Sequence, residues 1–143
     1  MLTLKNLVSG YGDKQVVNEV NLEVAKHNVV GIIGHNGAGK TTLLHTIFGL
    51  VAPWRGDILY NDENLSQRSA AHRVRKGIRL LPSSQSIFPG LSVDENMKLV
   101  EEQVQALQEE KMVFDAQAMY ELFPELVPKR KALAGNLSGG QQR

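Results

Sequence analysis

Gly34-His35-Asn36-Gly37-Ala38-Gly39-Lys40-Thr41 limits what this chain can fold into more than any other stretch. It fits the pattern G-x-x-x-x-G-K-[ST] without a mismatch. The pattern has meaning only between a strand and a helix, and both are expected here. Residues 29–33, Val-Val-Gly-Ile-Ile, are apolar, short and β-branched. That predicts a strand buried on both faces of a parallel sheet. Leu43, Ile47 and Leu50 recur at helical spacing and predict a helix from about Lys40, with Gly49 near its end.

The residue types suit one chemistry. A polyphosphate needs several backbone N–H groups converging on it at the positive end of a helix. Glycines stand where the backbone must come close or take positive φ. Lys40 supplies a flexible point charge for the terminal phosphates. The Thr41 hydroxyl is short enough to hold a Mg²⁺ that also touches phosphate oxygens. The glycines are spaced G-x-x-G-x-G, which is not the dinucleotide-binding fingerprint. A mere tight turn is the competing reading, and the strand and helix on either side argue against it.

Composition removes other classes. The chain has 143 residues and no cysteine, so thiol nucleophiles, thiolate zinc sites and disulfides are excluded. Net charge is +1, so no global attraction to nucleic acid follows. No apolar stretch approaches the ~18 residues that span a bilayer. The N-terminus lacks a basic segment followed by an apolar run, so no signal peptide is expected.

The rest of the chain reads as alternating elements. Residues 2–8 and 16–24 predict two strands around a turn at 10–13, and Val20, Leu22 and Val24 share a face. Residues 57–60 and 78–81 predict further strands, and 69–76 a short basic helix. Ser92-Val-Asp-Glu95 is a capping box ahead of Met97, Val100, Val104 and Leu107 at helical spacing. A further helix is expected over 116–123, before Pro124. The clusters at 72–76 and 129–131 read as solvated basic faces, because no aromatic platform accompanies them.

Leu137-Ser138-Gly139-Gly140-Gln141 is a second glycine motif, which can be a flexible loop or another anion site. Together with residues 34–42, this pentapeptide resembles the ABC (ATP-binding cassette) ATPase family, of which it is the signature. The resemblance runs over the whole chain. Three stretches (87–96, 122–126 and 133–138) are most similar to the ATPases of branched-chain amino-acid and related amide and urea importers.

The resemblance implies an α/β P-loop NTPase core with an N-terminal antiparallel β subdomain and part of a helical subdomain, the C-terminal half being missing. Residues 1–82 would be the β subdomain and P-loop core, 83–136 the helical region and 137–143 the signature. ATP and Mg²⁺ would be held by Gly34, His35, Asn36, Gly37, Ala38, Gly39, Lys40, Thr41 and Thr42, with Thr41 on the metal and Lys40 stabilising phosphate charge. Tyr11 matches the aromatic that stacks on adenine. Ser138, Gly139, Gly140 and Gln141 would contact ATP held by a second ATP-binding subunit in a head-to-tail dimer. Integral membrane permease subunits would be further partners, nucleic acid would not, and the place would be the cytoplasmic face of the cell membrane.

Two departures qualify that picture. The family's glutamine between core and helical region matches Ser83 here, with Gln85 two residues on. The apolar strand ending in Asp-Glu and the switch histidine, which in the family follow the signature, have no counterpart before Arg143. The 143-residue chain is therefore expected to hydrolyse ATP negligibly and to have exposed sheet edges and low stability. The leading expectation is an ATPase that drives import of a small solute such as branched-chain amino acids. A nucleotide-binding fragment or stub without hydrolysis, and a soluble non-transport ABC ATPase, are the alternatives.

Overall fold

The computed structural model describes residues 1–82, 87–106 and 115–142. Ser83, Gln85, Leu107 and Arg143 lie outside these residues. The chain divides into two compact units, Met1–Leu80 and Leu81–Arg143.

The first unit is built on an antiparallel sheet. Strands β1 (Leu2–Tyr11) and β2 (Lys14–Val24) form a hairpin in which Tyr11 pairs with Lys14 around Gly12-Asp13. Strands β3 (Pro53–Tyr60) and β4 (Glu63–Asn64) complete the order β2-β1-β3-β4. Alternation in the sequence explains the faces: Val20, Leu22 and Val24 are half-buried, while Asn21 and Glu23 are exposed. A bulge at Asn6, with φ 47°, shifts the register between Leu4 and Leu7. Gly56, with φ 85°, lies against it. A Cβ there would come within 2.4 Å of the Asn6 and Lys5 carbonyl oxygens.

Helix α1 (Lys40–Phe48) lays Leu43 and Ile47 on a core of Leu4, Leu7, Val17, Ile58 and Leu65. Gly49 ends it in the left-handed region, so Leu50 lies beyond the helix and is exposed, contrary to its expected place on the stripe. Helix α2 (Ala70–Arg75) starts at Ser69, whose hydroxyl accepts from the His72 amide.

Two expected strands are corrected. Residues 29–33 form no strand, and Val29 and Ile33 are 98% and 97% exposed. Residues 78–81 form none either. A parallel strand exists only through its neighbours, and among the described residues none pairs with either run. A cleft of about 470 Å³ remains between β2 and Val30–Ile33, with Val17 and Leu43 in its lining.

The second unit is held by helix α3 (Val93–Ala106), helix α4 (Ala116–Leu122) and two 3₁₀ turns, Pro124–Lys129 and Ala134–Asn136. The expected capping box is present: the Glu95 amide donates to Ser92 Oγ at 3.2 Å, and the Ser92 amide to Glu95 Oε2 at 2.7 Å. Val93, Tyr120 and Leu126 form its core, with Met97 and Leu137 packed against them. The α3 start is tied to the later loop through Val93 N to Ala132 O and Asp94 N to Arg130 O.

Candidate functional site

The glycine-rich loop passes directly into α1. Gly37 and Gly39 have φ of 86° and 91°, conformations that side-chain-bearing residues rarely adopt. A Cβ on Gly37 would meet nothing within 4 Å, so its place in the loop follows from backbone shape, not crowding. Gly39 is also crowded: a Cβ would lie 3.0 Å from the Val16 carbonyl oxygen. The loop thus rests on β2 at Val16, three residues after the hairpin turn. Gly34, His35, Asn36, Gly37, Ala38 and Thr41 are exposed, whereas Thr42 is buried.

The first turn of α1 carries no side-chain cap and no acidic residue. Its first amides therefore keep the positive end of the helix open to an anion. Lys40 Nζ turns back over the loop and donates to the Gly34 carbonyl at 2.7 Å and the His35 carbonyl at 2.8 Å. His35 Nδ1 lies 2.8 Å from the Asn36 carbonyl oxygen. The loop therefore gathers an ammonium, a helix N-terminus, an exposed threonine hydroxyl and two positive-φ glycines within nine consecutive residues. That set fits a magnesium polyphosphate: Lys40 and the amides suit the phosphate oxygens, and Thr41 the metal. Tyr11 stands half-exposed at the end of β1, beside the hairpin turn.

In the second unit, Ser138, Gly139 and Gly140 are exposed, and a Cβ on either glycine would meet nothing within 4 Å. Residues 139–142 form turns, with Gln142 N donating to Ser138 O at 3.1 Å. Gln141 does not point outward. Its Oε1 accepts from Lys129 Nζ at 2.9 Å and from the Ser138 amide at 3.4 Å. Gln142 Nε2 donates to the Leu137 carbonyl at 2.9 Å and to those of Ala134 and Gly135 at 3.3 Å. Lys129 and Gln142 are supporting residues that sequence reasoning missed. Only an amide and an amine flanking the motif could have signalled them.

Sequence reasoning also missed Arg73, read as part of a solvated basic face. It is 1% exposed. Nη1 donates to the Thr46 and Ile47 carbonyls at 2.8 and 2.7 Å, Nη2 to Leu65 and Ser66 at 2.7 and 3.4 Å, and Nε to Arg68 at 3.1 Å. Burial pushes its guanidinium pKa below the ordinary value. Two of these carbonyls belong to the last turn of α1, so Arg73 clamps the end opposite the phosphate loop.

The chain is similar to known proteins over its whole length. The family model described as ABC transporter matches residues 17–143. The chain is 32% identical over 143 residues to the probable branched-chain amino acid transport ATP-binding protein LivF of Archaeoglobus fulgidus, covering 100% of this chain and 59% of that one. It is 37% identical over 142 residues to the lipopolysaccharide export system ATP-binding protein LptB of Escherichia coli (strain K12), covering 99% and 58%. Among solved structures, a putative ABC transporter ATP-binding protein from Pyrococcus furiosus superposes with a TM-score of 0.75 at 31% identity, covering 99% of this chain and 64% of that one. The chain thus spans about three-fifths of the length of these relatives, and over that span it belongs to the ABC transporter family.

Proposed function

We propose that this chain is the nucleotide-binding part of a transporter's ATP-binding subunit, and that residues 34–42 hold ATP with Mg²⁺. The observation that carries the reading is the open, uncapped start of α1 beneath a loop whose Lys40 ammonium already lies over it. Lys40 stabilises phosphate charge, the loop and α1 amides bind phosphate oxygens, Thr41 holds the metal, and Tyr11 stacks on the base. Ser138, Gly139, Gly140 and Gln141 serve the nucleotide of a second subunit in a head-to-tail dimer. The chain would then sit at the inner face of the cell membrane, against integral membrane permease subunits that receive the motion. Residues 87–96 support an importer of small solutes such as branched-chain amino acids, in line with the name of the A. fulgidus relative. The name of the E. coli relative points to lipopolysaccharide export instead, so the cargo assignment rests on those residues.

The 143-residue chain by itself binds nucleotide and hydrolyses it negligibly. Its two Asp-Glu pairs support this. Glu63 is engaged by Lys76 at 2.6 Å and His72 at 2.9 Å. Asp94 is engaged by Tyr120 and Arg130, and Glu95 by Ser92. Glu63, Asp94 and Glu95 are thus each taken up by neighbouring side chains, which leaves them poorly placed to position an attacking water.

Titration calorimetry with Mg-ATP tests the reading. Saturable binding that a Lys40→Ala variant loses is the expected result, with phosphate release no greater than that of the variant. Absence of binding would refute the nucleotide assignment, and steady phosphate release above the variant would refute the hydrolysis statement.

A further inference from the structure

Ser9 and Thr46 are both fully buried, on β1 and α1, with their hydroxyl oxygens 2.7 Å apart. Thr46 Oγ1 also donates to the Thr42 carbonyl at 2.7 Å. A hydroxyl has one hydrogen, so Ser9 is the donor in the pair. Thr46 is held at its other end as well, where its carbonyl accepts from Arg73. A line of buried polar contacts therefore runs from β1 through α1 to α2, in a core whose neighbouring positions are apolar.

The place of this pair is informative. Tyr11 lies two residues beyond Ser9 on the same strand, and Thr42, whose carbonyl Thr46 engages, closes the phosphate motif. Around Ser9 the ladder is irregular: the β1–β2 register shifts between Leu7 and Ser9 and again between Ser9 and Gly10, and the β1–β3 register between Val8 and Ser9. Beyond Ser9 the strand is paired on one side only, Gly10 with Gln15 and Tyr11 with Lys14 of β2, and no longer with β3. Apolar packing allows small slides, whereas a buried hydrogen bond is directional and costly to leave unmade.

We propose that Ser9 and Thr46 are positioning residues that set the separation between Tyr11 and the phosphate loop, and so match the site to a nucleoside triphosphate rather than to phosphate alone. This rests on the nucleotide reading given above. A ligand that touches both Tyr11 and the loop senses the separation. One that touches only the loop does not.

Calorimetry with two probes, Mg-ATP and inorganic tripolyphosphate with Mg²⁺, tests this on the 143-residue chain. Thr46→Val keeps the shape and removes the hydroxyl, and Ser9→Ala removes the donor while leaving Thr46 bonded to Thr42. Thr46→Ser keeps the hydroxyl, and far-UV circular dichroism confirms folding. Thr46→Val and Ser9→Ala are expected to weaken ATP binding about tenfold and tripolyphosphate less than about twofold, with Thr46→Ser close to the unaltered chain. Equal weakening of both probes, or of neither, overturns the positioning role while leaving the nucleotide reading intact. Failure of the unaltered chain to bind ATP overturns both. If Thr46→Val fails to fold, Ser9→Ala decides by the same two ratios.

Discussion

The Tyr120 hydroxyl donates to the Asp94 carboxylate at 2.7 Å, joining α4 to the first turn of α3. Arg130 donates to the same oxygen at 3.0 Å and lies 4.4 Å from the centre of the Tyr120 ring. Tyr120 and then Arg130 hold the Asp94 carboxyl below its ordinary 3.8. Burial and then Asp94 push the Tyr120 hydroxyl from 10.0 up to about 12. The signs are opposite. The depressed Asp94 stabilises the fold above its ordinary value and loses that effect as pH falls through its folded value. The raised Tyr120 stabilises it below pH 10.0 and loses that effect between 10.0 and about 12. Urea midpoints against pH should be flat between these limits. Tyr120→Phe should abolish the alkaline loss and move the acid loss to higher pH. An unchanged alkaline limb in that variant would show that another group carries it.

Lys40 rests on two carbonyl oxygens of an exposed loop, which water can serve in its absence. Its removal should therefore cost binding and not folding. Lys40→Ala is expected to weaken Mg-ATP binding about a hundredfold while changing stability by less than about 0.5 kcal/mol. A variant that loses stability and affinity together would make Lys40 a structural residue.

Arg73 is a different case. Five carbonyl oxygens face it, and two of them end α1. Arg73→Met keeps much of the volume but strands these acceptors, and should cost about 3 kcal/mol. Arg73→Lys should recover only part of that, since an ammonium has three donors and no fork. Urea midpoints measure both. A midpoint for Arg73→Met equal to that of the unaltered chain would contradict the clamp.

Ser92 caps α3 and is itself held by Glu95. Ser92→Ala should destabilise the second unit by about 1 kcal/mol, whereas Ser92→Asp should preserve most of it. Amide exchange in the first turn of α3 is the direct reading, and unchanged protection there would show the cap to be idle.

What the sequence made legible follows from range. The phosphate loop, the Ser92 and Glu95 box and the 10–13 turn depend on residues within a few positions, and each could be read from residue type. Residues 29–33 and 78–81 have the right residues for strands, but a strand is a pairing, and its partner is not written in the run itself. Arg73 was hidden for a related reason. Its acceptors come from residues up to 27 positions away, and a basic neighbourhood masks it. Ser9 and Thr46 carry no local signal at all, because two small hydroxyls 37 residues apart meet only once β1 and α1 are packed.

The exposed run at residues 29–33 also governs how the polypeptide behaves in company. Between Lys26 and Lys40 no Asp, Glu, Lys or Arg interrupts it. Val29 and Ile33 are presented to solvent, with no strand paired to the run among the described residues. Such a segment is what a growing cross-β edge accepts as its next layer, and only Gly31 weakens the match. The fraction of the 143-residue chain left in solution should therefore fall as total protein concentration rises at constant temperature, and Ile33→Lys should raise it more than a change that stiffens the core.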